Sequence, residues 1–271
     1  MYYFTKSFFL AQGRRISLLV ILITTIALLC AVALSFNDEY VKSIGSVKGN
    51  FSELLFASLL PVKPSLTKLE RSQFTLSDKL RQILVGLLLG DLYAQKQKSY
   101  ANARLFFQQG LVHEDYLLHL YELFKTYSSQ APKITNLPPD KRTGKVYNKI
   151  RFFTYSLPCF NELLDLFYLD GKKIVPTNIA ELLTPLGLAY WICDDGGWDR
   201  NTVRLATDGF TLEEVNLLAK VLNDKFGLKC GVIKSGNNHT IRISSKSVPH
   251  LQTLLTPIMP PMMLYKIQGN T

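Results

Sequence analysis

The sequence predicts an α+β fold built from two similar halves, and two observations support it. Residues 66–175 and residues 176–271 follow the same order of patterns, and each block opens with an apolar helical run that ends in aspartate. Alternating, strand-like sequence rich in polar and basic residues comes next, followed by amphipathic helical sequence. An internal duplication of this kind predicts two pseudo-symmetric halves on one chain.

In the first block, Ser77 and Asp78 have the composition of a helix N-cap and open the apolar run. The residues after that run alternate between aromatic or apolar and polar or basic, which indicates paired strands with one solvated face. The predicted elements are a helix ending at Asp91, strands within 92–110, a helix over 113–129, strand sequence within 144–156 and a helix over 158–171.

The second block repeats this order. Thr211 and Glu214 form a capping box for its central helix, and Gly227 is placed to end that helix. The predicted elements are a helix over 181–195, strands within 196–207, a helix over 211–227, strands within 228–245 and a helix over 248–259.

The composition favours a polyanionic partner. The chain has 31 Lys and Arg against 21 Asp and Glu, a formal charge of +10, and residues 66–271 hold 25 of the basic and 18 of the acidic residues. A positive surplus on the main body favours nucleic acid or anionic lipid as partner, with plain solubility as the alternative. The four cysteines include no C-x-x-C pair, which favours reduced thiols over a disulfide framework or zinc site.

Residues 1–65 differ from the rest of the chain. Residues 16–36 contain no charged residue over 21 positions, enough to cross a bilayer as a helix, and residues 37–65 have the composition of a linker. Two interpretations of this hydrophobic leader stay open: a membrane anchor, or a segment unrelated to the activity.

The repeated helix ends indicate the chemistry. Gly86 and Gly90 in the first helix, and Ala189 and Cys193 in the second, predict small-residue faces along which the two helices pack side by side. Parallel packing would bring Asp91 and the terminal aspartate of the second helix together. Carboxylates at helix C-termini are unfavourable against the helix dipole, and a divalent metal offsets them. Paired carboxylates with a metal suit phosphodiester hydrolysis.

The same two stretches, Leu84–Asp91 and Leu188–Gly196, resemble the paired motif of LAGLIDADG homing endonucleases. The second copy is similar to the single-chain branch of mitochondrial group I introns. In the first copy Leu92 replaces the usual final glycine, and in the second Tyr190 replaces the central one. The resemblance implies two αββαββα halves whose antiparallel sheets form a DNA-binding saddle.

The resemblance also implies the site residues. Asp91 and Asp195 are the expected catalytic metal ligands, and the carbonyls of Gly90 and Asp194 complete the metal shell. The expected metal is Mg²⁺, with Mn²⁺ able to substitute. Lys173 and Lys266 are expected to polarise water or phosphate, although each alone resembles an ordinary surface lysine. No histidine has the spacing of a ligand or a nucleophile relay.

Polar strand residues are the expected DNA contacts, since Lys and Arg bind phosphate and amide or guanidinium groups read base edges. Roughly half of these candidates would then face only solvent. The candidates are Gln95, Lys96, Lys98, Arg104, Lys149, Arg151, Arg200, Arg204, Lys234 and Arg242.

These inferences predict a monomeric, mitochondrial endonuclease that cuts both strands of a long DNA site in intron homing. The leader is then a remnant of an upstream exon. One alternative is an RNA maturase that assists splicing of its host group I intron, alone or in addition. Another is a membrane-anchored protein with an unrelated basic domain, which rests only on residues 16–36.

Overall fold

A computed structural model describes residues 66–98, 101–136 and 138–269. The hydrophobic segment 16–36 and the linker lie outside these residues. Within the described ranges, no helix has the length and apolarity needed to cross a membrane.

The first half begins with a short capped helix, α1, and then the long apolar helix α2. Ser77 caps α2 by accepting a hydrogen bond from the Leu80 amide, and Gly90 follows its last residue. The elements of this half are α1 (Lys68–Ser72), α2 (Asp78–Leu89), β1 (Tyr93–Lys96), β2 (Ala103–Gly110), α3 (Glu114–Phe124), β3 (Lys133–Asn136), β4 (Asn148–Phe153) and α4 (Asn161–Phe167).

A two-stranded hairpin and a helical turn connect this half to the second, whose elements repeat the same order. The connecting elements are β5 (Tyr168–Leu169), β6 (Lys172–Lys173) and α5 (Ile179–Leu182). The second half comprises α6 (Pro185–Asp195), β7 (Gly196–Asp199), β8 (Thr202–Ala206), α7 (Leu212–Phe226), β9 (Cys230–Ser235), β10 (Asn238–Ile243), α8 (Val248–Leu255) and a final helix α9 (Tyr265–Gln268).

The two sheets have the same topology. Their strand orders are β1-β2-β4-β3 and β7-β8-β10-β9, and every pairing is antiparallel. From α2 and from α6 onward the chain therefore runs αββαββα twice. The α+β fold with two pseudo-symmetric halves is confirmed. The boundary between residues 175 and 176 stays a prediction, since residues 65–271 form one compact unit with a continuous core.

Several local predictions were wrong. Strand β3 was not predicted, because its four residues have only one partly buried side chain and no strong periodicity. The helix expected to run to residue 171 ends at Phe167, and the chain then turns through Asp170 and Gly171 at positive φ. Helix α6 begins at Pro185, because Thr184 accepts a hydrogen bond from the Gly187 amide and caps it.

Candidate functional site

Helices α2 and α6 run parallel and are buried along most of their lengths. They touch backbone to backbone at Gly86, where a Cβ atom would lie 2.0 Å from the Gly187 carbonyl oxygen and 3.0 Å from the Trp191 amide nitrogen. At Gly90 a Cβ atom would lie 2.6 Å from the Asp194 Cβ. Both glycines are therefore required by the contact between the helices.

The predicted face of α6 was wrong. Gly86 and Gly90 contact Gly187 and Asp194 rather than Ala189 and Cys193. Gly187 and Asp194 are two helical turns apart and lie on one stripe, whereas Ala189 lies about 200° further around the helix than Gly187. The sequence pattern located the interface on α2 but not the register of α6.

The C-terminal ends of both helices therefore meet at one point, and three carboxylates gather there. Asp91 is exposed, while Asp194 and Asp195 are partly buried. Burial, and then the charge of Asp91, raises the pKa of Asp195 to about 7, although Lys173 and Lys266 act in the opposite direction. Burial and both neighbouring aspartates raise the pKa of Asp194 as well. The ionised carboxylates repel one another, so a cation at this point is favourable.

The two predicted lysines occupy equivalent places. Lys173 Nζ donates to the Gly90 carbonyl at 2.6 Å and to that of Leu92 at 2.9 Å. Lys266 Nζ donates to the Asp194 carbonyl at 2.8 Å. Burial lowers the pKa of both lysines, whereas the nearby carboxylates raise it. Each lysine therefore holds the carbonyl that precedes an aspartate, and a carbonyl oxygen has a second lone pair for another partner.

Sequence reasoning missed two residues at this centre. Gln109 Nε2 donates to Asp91 Oδ2 at 3.2 Å, and the Tyr116 hydroxyl donates to Asp194 Oδ1 at 2.9 Å. Gln109 lies near the end of β2, opposite Ile150 of β4, and its place in a polar pair after two aromatic residues was the available signal. Tyr116 belongs to a helical stripe typical of a core residue, so nothing in the pattern marked it.

The two carboxylates line different depressions. Asp91 lines a cavity of about 500 Å³ together with Gln108, Gln109 and Lys149. Asp195 lines one of about 210 Å³ together with Lys173 and Asp208. Asp91 and Asp195 therefore face two different parts of the surface.

A model of the LAGLIDADG DNA endonuclease family matches residues 81–251. The chain belongs to this family. Because its members are DNA endonucleases, the prediction of a phosphodiester-hydrolysing enzyme is confirmed together with the family.

Named relatives of this LAGLIDADG protein cover most of it. The cytochrome b mRNA maturase bI2 of Debaryomyces hansenii is 35% identical over 72% of this chain and 75% of its own length. A probable intron-encoded endonuclease of Wickerhamomyces canadensis is 32% identical over 76% of this chain and 91% of its own. The solved structure of the homing endonuclease I-WcaI bound to its DNA recognition sequence matches with a TM-score of 0.71 and 30% identity, over 79% of this chain and 98% of that one.

LAGLIDADG endonucleases generally use a divalent metal, and the helix ends of this chain fit one. The donors present are carboxylate and carbonyl oxygens, which hard divalent cations prefer. Among the described residues, no three His, Cys, Asp or Glu side chains cluster as a complete ligand set. The oxygen donors that would hold such a metal are the carboxylates of Asp91 and Asp195 and the carbonyls of Gly90 and Asp194.

The strand registers place the predicted DNA contacts. Strand neighbours alternate between the core face and the opposite, outer face of each sheet. Lys96 falls on the core side because it pairs with Ala103, and its Nζ lies 2.9 Å from Asp165 Oδ1. Lys234 also falls on the core side, where it pairs with His239. Arg200 occupies the turn between β7 and β8, and Lys98 follows β1. The residues on the outer faces are Gln95, Arg104, Lys149, Arg151, Arg204 and Arg242.

Proposed function

We propose that this LAGLIDADG endonuclease cuts both strands of a specific DNA site, one strand at the end of α2 and the other at the end of α6. The observation that supports this most directly is the meeting of the two helix ends, where Asp91 and Asp195 belong to separate depressions yet influence each other electrostatically. Two reaction centres close together suit a staggered double-strand cut.

Asp91 and Asp195 are the proposed ligands of divalent metal, with the carbonyls of Gly90 and Asp194 beside them. When bound, Mg²⁺ lowers the pKa of an attacking water and neutralises charge on the phosphate, and Mn²⁺ serves the same purpose. Gln109 orients the Asp91 carboxylate through its amide. Lys173 and Lys266 supply positive charge at the two centres and hold the carbonyls in place.

The outer faces of the two sheets are the proposed DNA interface. Arg151 is exposed and Lys149 half-buried on β4, and Gln108 lies opposite Arg151 on β2. Arg204 and Arg242 lie opposite each other on β8 and β10. This arrangement combines cations for phosphate with amide and guanidinium groups for base edges. Because one chain supplies both halves, a monomer is sufficient.

The proposed biological role is intron homing in mitochondria. It is supported by relatives named as intron-encoded endonucleases and by a relative named as a maturase of cytochrome b mRNA. In this role residues 1–65 are a leader that cleavage does not need.

The direct test is cleavage of a plasmid carrying the intron-less exon junction of the host gene by the full chain with Mg²⁺. Wild-type protein should linearise the plasmid, whereas Asp91→Asn and Asp195→Asn should each leave one strand intact and yield nicked circles. Normal double-strand cutting by either variant would contradict the ligand assignment. In a separate arm, loss of all cutting on removal of residues 1–65 would contradict the role given to the leader.

A second candidate function is RNA maturation, alone or in addition. Two similar proteins, of Debaryomyces hansenii and Saccharomyces cerevisiae, are named as cytochrome b mRNA maturases, although this chain covers only 48% of the second. Splicing of the host intron in vitro by the Asp91→Asn/Asp195→Asn double variant separates the two functions. Splicing without DNA cleavage by the wild type would replace the nuclease proposal.

A further inference from the structure

Of the two aspartates that end α6, Asp195 is a proposed metal ligand, whereas the side chain of Asp194 has no role in the proposed reaction. It occupies the same place in α6 as Gly90 does after α2, where the helix ends meet. Only one side chain fits there, because a Cβ on Gly90 would lie 2.6 Å from the Asp194 Cβ and 2.7 Å from its Oδ2. Of the two equivalent positions, Gly90 and Asp194, only one can therefore carry a side chain, and that side chain is the Asp194 carboxylate.

This carboxylate is bonded across the interface. Its Oδ2 accepts a hydrogen bond of 3.1 Å from the Asp91 amide, and its Oδ1 accepts one of 2.9 Å from the Tyr116 hydroxyl of α3. The amides of Gly90 and Leu92 bond back to carbonyls of α2, so the amide of Asp91 is the one directed at the other half. The Asp194 side chain thus links the backbone of Asp91 to α6, on which Asp194 lies, and to α3, which carries Tyr116.

The hydrogen bond from Asp91 to Asp194 matters because Asp194 is the chain neighbour of Asp195. Asp194 directly precedes Asp195, and Lys266 fixes its carbonyl at 2.8 Å. Because the side chain of Asp194 holds Asp91 and its backbone carries Asp195, it determines how far apart the two proposed metal ligands stand. Tyr116 is buried, and its hydroxyl holds the other oxygen of the carboxylate.

We propose that Asp194 and Tyr116 are positioning residues that set the spacing of Asp91 and Asp195, with the Asp194 side chain acting as a hydrogen-bond acceptor rather than as a metal ligand. This inference rests on the proposed function of those two aspartates. The proposal predicts that metal binding and cleavage depend on the hydrogen bonds of the Asp194 side chain and not on its negative charge. Asparagine can accept from the Asp91 amide and donate to the Tyr116 oxygen, so it should replace Asp194, whereas alanine should not.

The test uses the full chain and the variants Asp194→Asn, Asp194→Ala and Tyr116→Phe, with Tyr147→Phe as the exposed control. Mn²⁺ affinity is measured by electron paramagnetic resonance, which requires no cleavage. Single-turnover rates for each strand and metal-free binding are measured on a duplex that the wild type selects from a randomised pool. Thermal melting reports folding.

Asp194→Ala should weaken Mn²⁺ binding and slow both strands roughly 10- to 100-fold, the range for residues that orient metal ligands, with duplex affinity nearly unchanged. Asp194→Asn should stay close to the wild type, and Tyr116→Phe should fall between them. Equal losses in the Asn and Ala variants would overturn the proposal, since charge would then matter.

If the Ala variant does not fold, the Tyr116→Phe variant provides the test. Mn²⁺ affinity and cleavage rates equal to those of the wild type in Tyr116→Phe would overturn the proposal. Failure of the wild type to cut any selected duplex counts against the proposed function instead, while the Mn²⁺ comparison still tests the positioning role.

Discussion

Gly86 of α2 lies against the carbonyl of Gly187 in α6, so that a Cβ atom on Gly86 would stand 2.0 Å from that oxygen. No real Cβ contact is this short, and both partners are backbone atoms in buried helices. The distance between the helices therefore depends on the absence of one side chain. Because both helices end at the candidate site, the same contact brings the two helix ends close to each other.

We expect Gly86→Ala to destabilise the fold by about 1–3 kcal/mol or more, since overpacking would push the helices apart. Without that contact, the same change inside a helix would stabilise by about 1 kcal/mol. Urea denaturation checks the sign, with Gly209→Ala as control because a Cβ there meets nothing within 4 Å. An unchanged midpoint for Gly86→Ala would show that the helices do not meet as described.

The free energy of unfolding should depend on pH, because burial and the charge of Asp91 make the ionised form of Asp195 unfavourable. The pKa of Asp195 rises from its ordinary 3.8 to about 7 in the folded protein. Between these values the folded state holds a proton that the unfolded state releases, so metal-free protein loses stability as pH rises from about 4 to about 7. Above that pH the loss is constant.

Comparison with Asp195→Asn isolates this effect from His113 and His119, whose lowered pKa values act in the opposite direction. The stability advantage of the Asn variant over the wild type should grow from pH 4 to pH 7 and then level off. Mg²⁺ at pH 8 should shrink that advantage by stabilising the wild type. An advantage that is constant with pH would refute the assignment.

Much of this site could be predicted from sequence, and the limits have physical causes. The duplicated helix ends predicted that Asp91 and Asp195 lie close together, because repetition makes an ordinary helix-end aspartate informative, and the charge of Asp91 does act on Asp195. The partners Gln109 and Tyr116 come from a strand and a helix far from those motifs, and no local pattern encodes such long-range hydrogen bonds. Lys96 shows the same limit, since a register shift of one residue moves a side chain to the other face.

The β5–β6 hairpin should control the position of Lys173. The Tyr168 hydroxyl accepts a hydrogen bond of 3.1 Å from the Ala94 amide of edge strand β1, which fastens the hairpin to the first sheet. Lys173 ends that hairpin and shares a cavity with Asp195. We expect Lys173→Met to slow cutting of the strand processed at Asp195 more than the other, by up to about 100-fold.

Tyr168→Phe should shift the same strand by a smaller factor, because the hairpin loses one hydrogen bond worth about 1 kcal/mol while the lysine remains. Duplexes labelled separately on each strand measure the two rates, with the exposed Tyr147→Phe as control. Equal slowing of both strands in Lys173→Met would contradict the assignment of Lys173 to the centre at Asp195.

Asp199 should set the sequence preference of the second sheet. Its Oδ2 lies 3.3 Å from Arg242 Nη2 and 3.9 Å from Arg204 Nη1, on the outer face. A carboxylate that holds a guanidinium restricts the directions in which it can donate, and fixed bidentate donation to guanine is worth about 1–3 kcal/mol of discrimination. Asp199→Asn should therefore strengthen salt-dependent, non-specific binding while weakening base discrimination beneath the second sheet.

Sequencing of duplexes bound from a randomised pool measures this preference. Asp224→Asn on α7 changes the net charge equally, and Asp224 pairs with Lys220 away from the sheet's outer face. That control should leave the preference intact. If both variants relaxed the preference alike, net charge rather than the held arginines would be responsible.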